Sequence, residues 1–156
     1  MKFARAAAFG LFAMSCLLPG AASAATTPVG TWLSHDGGLK VRISTCGGSR
    51  LCGTVVWLGE PIDPTTGRPK TDKHNPDPAK RGRPLIGMRV AQGLAPSGPN
   101  EWSGVIYNAD DGHTYQAHVK VPNAGTLRLQ GCVMNVLCKT HTWTRSGAGA
   151  RTADAH

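Results

Sequence analysis

The chain has 156 residues, 17 Lys or Arg against nine Asp or Glu, and a formal net charge of +8. That length suits one domain with a modest core. The basic balance favours anionic partners such as lipid head groups, acidic glycans or nucleic acid, but no basic run interleaved with aromatics occurs, which argues against nucleic acid.

The first 24 residues read as a secretory signal peptide. Lys2 and Arg5 supply the charged start, Ala6–Leu18 form an apolar run too short to span a bilayer, and Pro19 and Gly20 precede the small-x-small site Ala22-Ser23-Ala24. Cleavage is expected between Ala24 and Ala25, giving a periplasmic or secreted protein. Cys16 competes as a lipidation site, but it is followed by Leu17 and Leu18 and is more simply an apolar residue of the discarded segment. Removal of residues 1–24 takes two basic residues and no acidic one, so the net charge falls from +8 to +6. No second apolar stretch of spanning length follows, so the mature chain is expected to have no transmembrane segment and to be a soluble monomer.

Strands follow, marked by alternation of apolar and polar residues. The first is expected at Val29–Ser34. In Leu39–Cys46, Leu39, Val41 and Ile43 alternate with Lys40, Arg42 and Ser44, which is the period of a strand with one wet face. A third is expected at Leu51–Leu58. Gly59–Pro84 then holds six prolines and ten charged residues in 26 positions, so it is a loop rather than a central strand or a continuous helix. Loops of that length are usually functional lids or disordered segments. Here Asp72, Asn75, Asp77, Arg81 and Arg83 are the residues expected to order it by turns and ion pairs and to meet a partner. Further strands are expected at Leu85–Ala91, Glu101–Tyr107, Thr114–Val121, Thr126–Cys132 and Leu137–Arg145. Turn signals lie between them, for example Asp110–Gly112 and Asn123–Gly125. Eight strands with mostly hairpin-length links predict an all-β, eight-stranded antiparallel up-and-down barrel over residues 25–146, because closure removes exposed edges. Residues 147–156 are expected to be a disordered tail.

The four cysteines left after cleavage are Cys46, Cys52, Cys132 and Cys138, an even count that predicts two disulfides in an oxidising compartment. Zinc competes, but the spacing inside each pair is wider than usual for its ligands. Three pairings exist by count. Phase favours 46 with 52 and 132 with 138, since all four cysteines fall on polar faces and would staple hairpins from outside. The runs Leu51, Cys52, Thr54, Trp57 and Leu137, Cys138, Thr140, Trp143 share one spacing. Two matched hairpins would therefore turn Trp57 and Trp143 inward, as core fillers or as walls of a ligand cavity.

Gly30-Thr31-Trp32, the segment Cys46 to Trp57, Asn75-Pro76-Asp77-Pro78 with Arg81, Arg83 and Pro84, then Trp102, Gly104, Ile106, Tyr107, Gly112 and Tyr115, and finally Cys132, Cys138, Trp143 and Arg145 form a specific set. In that set the chain resembles an exported bacterial family known only as domain of unknown function 2147, grouped with the calycin or lipocalin-like barrels, from Gly30 to Arg145. The resemblance implies the barrel but supplies no activity. Gly30-Thr31-Trp32 is also similar to the first-strand Gly-x-Trp of lipocalins, where a late basic residue packs over the indole; this implies a Trp32–Arg145 cation–π contact. The long early loop and the two short-range cysteine pairs depart from typical lipocalins.

No catalytic motif is present: no Gly-x-Ser-x-Gly elbow, no His-Glu-x-x-His zinc helix, no phosphate-cradling glycine loop. His35, His74 and His113 sit beside turns, and Asp110 and Asp111 are neighbours in one turn rather than a converging pair. Asp72, Asn75 and Asp77 lack the spacing of a calcium loop. No enzyme activity, metal or cofactor is therefore expected. In the last strand Lys139, His141 and Arg145 share the inward phase with Leu137 and Trp143. An anionic head group would satisfy Lys139 and His141, with Val55, Trp57, Trp102, Ile106, Tyr115, Val119 and Trp143 around an apolar tail. The leading expectation is a barrel that binds a small amphipathic ligand. The rival is an envelope protein-interaction module, inhibitor-like, that presents the 59–84 loop.

Overall fold

The computed structural model describes residues 26–134 and 136–147; the expected signal peptide and nearly all of the expected tail lie outside these. Strands β1 (Gly30–Leu33), β2 (Leu39–Thr45), β3 (Leu51–Leu58), β4 (Arg89–Gly98), β5 (Glu101–Asn108), β6 (His113–Asn123), β7 (Thr126–Val133) and β8 (Leu137–Ser146) form a closed antiparallel barrel in sequence order. β1 pairs with both β2 and β8, which closes the cylinder and leaves no free edge. Among the described residues, no helix is long and apolar enough to cross a membrane.

Alternation decides what faces inward. Val41, Val55, Ala117, Val119, Val121 and Leu127 are buried, whereas their neighbours Arg42, His118, Lys120 and Arg128 are exposed. Trp32, Leu51, Leu94, Val121 and Leu127 pack together at one end, joined by half-buried Trp102 and Trp143. This end is where β1 begins and β8 finishes. Arg145 lies over Trp32, its guanidinium carbon 4.2 Å from the ring centre. The same guanidinium donates to the carbonyls of Val29, Thr27 and Ala124, and the Trp32 indole donates to Pro28 at 2.8 Å. A side chain on Gly30 would put its Cβ 2.3 Å from Arg145 Nη1, and φ there is +142°, so glycine is what admits the arginine. Arg145→Ala is expected to lower stability by about 2–3 kcal/mol in urea unfolding, because three carbonyls and the indole face lose one partner. Arg145→Lys should recover only part, since an ammonium cannot fork. An unchanged midpoint in Arg145→Ala would show that this closure contributes nothing.

Disulfides join Cys46 to Cys52 and Cys132 to Cys138, with S–S distances of 2.05 and 2.04 Å. Each spans one hairpin from the face opposite the interior: Cys52 lies across from exposed Ser44 and next along its face from Thr54, and Cys132 pairs directly with Cys138.

Two sequence expectations need correcting. The expected Leu85–Ala91 strand starts late, because Met88 N–H donates to the Leu85 carbonyl and Gly87 adopts φ +89°, making 85–88 a turn; the strand then continues to Gly98. The second concerns the two matched hairpins, which are not equivalent. In β7–β8 eight successive pairs run without a shift, and Trp143 opposes buried Leu127. In β2–β3, Lys40 opposes Trp57 but Val41 opposes Val55, so Val56 is an extra residue. That bulge reverses the phase beyond it. Trp57 consequently lies outside, 40% exposed, with Lys40 Nζ 4.8 Å from its ring centre.

The 59–88 connection is folded against the barrel. Asp72 is fully buried and accepts from Tyr107 Oη at 2.6 Å, Asn75 Nδ2 at 2.7 Å and Arg83 Nε at 2.9 Å. Asp77 caps the short 3₁₀ turn Pro78–Lys80 through Ala79 N–H. A Cβ on Gly112 would sit 2.0 Å from the His74 carbonyl oxygen, so the turn after β5 touches the loop backbone directly.

Candidate functional site

An up-and-down barrel places the connections after β1, β3, β5 and β7 at one end. With the opposite end filled around Trp32, the inward side chains enclose a cavity of about 1130 Å³ that opens among those connections. Such a volume lies just above the roughly 300–1,000 Å³ usual for pockets that hold small organic ligands. Val55, Ile106, Val119, Leu127 and Leu129 form apolar wall and floor. The mouth is polar, carrying His35, Asp36, Asp111, Lys139 and His141.

The mouth's groups differ in what they have left to offer. Asp36 is held below the usual carboxylate value by the Ser34 hydroxyl and then by the Gly38 N–H, to both of which Oδ1 is committed. Burial would raise Asp111, but the Tyr115 hydroxyl at 2.6 Å, the His113 N–H at 2.9 Å and the Asn108 amide outweigh it and hold the carboxyl low. In return the Asp111 hydrogen bond, and then burial, push the Tyr115 phenol up. Burial, then the charges of His35 and Lys139, depress His141, so at neutral pH it is an uncharged imidazole. Its ring centre lies 4.1 Å from that of His35. Lys139 enters no ion pair among the described residues. Asp36 and Asp111 are thus satisfied internally, Glu60 and Lys70 at the opening pair with each other at 3.4 Å, and Lys139 and Asp110 are the charged groups there without an ion pair among the described residues.

Of the residues the sequence suggested, the cavity brings together Val55, Ile106, Tyr115, Val119, Lys139, His141 and Trp143. Trp102 instead packs into the closed end, and Trp57 is excluded by the bulge at Val56. The loop residues make the turns and ion pairs expected of them. Asp72 and Asn75 are buried, Arg83 pairs with Asp72 at 2.8 Å, Arg81 donates to the Asn75 carbonyl at 2.8 Å, and Asp77 pairs with Lys80 at 3.1 Å. All five serve the loop's own fold. Among the described residues no group of three or more His, Cys, Asp or Glu could hold a metal ion. Leu127 and Leu129 were missed as wall residues although their alternation carries the signal. His35 was missed because its approach to His141 depends on β1 closing against β8.

The family model described as "Uncharacterized protein conserved in bacteria (DUF2147)" matches residues 30–145. Among solved structures, the chain is similar to protein HP1028 of Helicobacter pylori, which is described as belonging to the lipocalin family. The identity is 22% and the TM-score 0.67, covering 80% of this chain and 86% of that one. This likeness concerns the fold. No curated protein matches.

Proposed function

The chain belongs to the bacterial DUF2147 family, and within that lipocalin-like fold we propose that it binds a small amphipathic molecule with an apolar tail and an anionic head, without covalent chemistry. The observation that carries this reading is the cavity of about 1130 Å³, closed at the Trp32 end and open at the other. A tail fits against Val55, Ile106, Val119 and Leu129, where water gains little from polar contacts. A carboxylate or phosphate head reaches Lys139, with the neutral His141 as a hydrogen-bond partner. The protein acts outside the cytoplasm, after removal of residues 1–24. The interaction-module reading is weaker, because the polar residues it assigned to a partner are engaged within the loop.

Denaturing extraction of the purified protein followed by mass spectrometry should release a fatty-acyl or similar amphiphile. A clean extract from a protein that also fails to bind added dodecanoate contradicts the reading. Lys139→Gln should weaken dodecanoate binding about tenfold, since a charge-assisted hydrogen bond is lost, and should leave dodecanol binding unchanged. Equal loss for both ligands would place Lys139 outside the head-group contact.

A further inference from the structure

The turn joining β7 to β8 carries apolar side chains into solvent: Met134 is 88% exposed, Val136 80%, Leu137 75% and Val133 45%. Isolated exposed apolar residues are ordinary, but four of them at one hairpin tip are not. Hydrogen bonding does not account for them, since a two-stranded tip could carry polar residues as the outer faces of β6 and β8 do. The Cys132–Cys138 disulfide ties the strands at the base of the tip, so the apolar group is held out by a covalent staple.

Two further facts say what covers it. Val133 and Leu137 are both exposed at the tip and part of the cavity wall, so apolar surface runs without a break from the outside of the mouth to the interior. From Gly112 to Gly147 the chain contains no Asp or Glu, while Lys120, Arg128, Lys139 and Arg145 are present. Lys120 pairs with Glu101 and Arg145 is committed at the closed end, so the cation beside the tip is Lys139, two residues beyond Leu137 and without an ion pair among the described residues.

We propose that this tip is a membrane-docking element: Met134, Val136 and their neighbours enter the head-group boundary of an anionic lipid bilayer and set the mouth against it. Apolar residues in the boundary with lysine at head-group level follow the pattern of interfacial anchors, whose strength scales with buried apolar area and surface charge. The inference rests on the amphiphile-binding reading for its purpose, which is direct passage of a tail between bilayer and cavity. Its geometry does not depend on that reading.

Flotation of the protein recovered from expressing cells should show binding to vesicles of phosphatidylglycerol and phosphatidylethanolamine, weaker binding to phosphatidylcholine vesicles, and loss in high salt. Met134→Asp with Val136→Asp should lower the anionic-vesicle partition about tenfold or more. Neither residue lines the cavity, so this variant should keep full affinity for free dodecanoate. Dodecanoate binding without vesicle binding overturns the docking inference and leaves the cavity reading intact. Vesicle binding that the variant retains also overturns it. A wild-type dimer that the variant dissociates, with no vesicle binding, assigns the tip to a second copy of the chain and overturns it as well. Vesicle binding that the variant loses, without dodecanoate binding by either protein, supports docking and counts against the ligand reading alone.

Discussion

Leu129→Glu is expected to weaken dodecanoate binding at least a hundredfold while the barrel stays folded. Leu129 is half-buried on the cavity wall, where water can reach a glutamate in the empty protein. The free protein should therefore lose only about 1–2 kcal/mol, the usual scale for a substitution that trims packing. A bound tail strips that water away. The glutamate must then be desolvated without a partner, which costs several kcal/mol and falls entirely on the complex. Leu129→Met preserves volume and should bind normally. Isothermal titration of the three proteins, with far-ultraviolet circular dichroism as a folding control, separates the cases. Unchanged affinity in the glutamate variant would mean that the tail does not lie against this wall.

Asp72→Ala is expected to cost about 3 kcal/mol and to release the 59–88 connection from the barrel. The carboxylate is fully buried and joins Tyr107 on β5 to Asn75 and Arg83 in the loop. Breaking one member of such a set leaves the others desolvated without partners, the more damaging case for buried charges. The figure sits at the low end of the range for buried pairs because Arg83 is itself well exposed and can rehydrate. Burial pushes the Asp72 carboxyl up, but the hydrogen bonds from Tyr107, Asn75 and Arg83 outweigh it and hold it below its ordinary 3.8. A depressed acid stabilises the fold fully above its unfolded value and loses that contribution as pH falls through the folded value. Wild type and Asp72→Ala should accordingly differ most above pH 4 and converge in stronger acid. Hydrogen exchange should show faster exchange across residues 70–88 in the variant. Equal protection there, or a stability difference independent of pH, contradicts the anchoring role.

The sequence made β2, β6 and β7 legible because one face is wet and the other dry, so the alternation is nearly complete. β4 was poorly legible, since Gly93, at φ +65°, and Pro96 interrupt its pattern and its inward residues Ala91 and Leu94 are three apart rather than two. The disulfides were readable from phase, and the phase of β8 placed Lys139, His141 and Trp143 at the cavity. Trp57 was misplaced by the same reasoning, as counting by twos cannot detect the one extra residue at Val56. Asp72 was legible as an ion-pairing residue of the loop, and its pair with Arg83 follows that reading. Its burial depends on Tyr107, 35 positions away, which no local pattern reveals.

The central claim is that an apolar tail occupies the open barrel. Backbone amide chemical shifts recorded during titration with dodecanoate test it most directly. The largest changes are expected at Val55, Ile106, Val119 and Leu129 with a smaller set at Lys139 and His141, while Trp57 on the outer face stays still. Shifts confined to the outer face, or none at saturating dodecanoate, would contradict it.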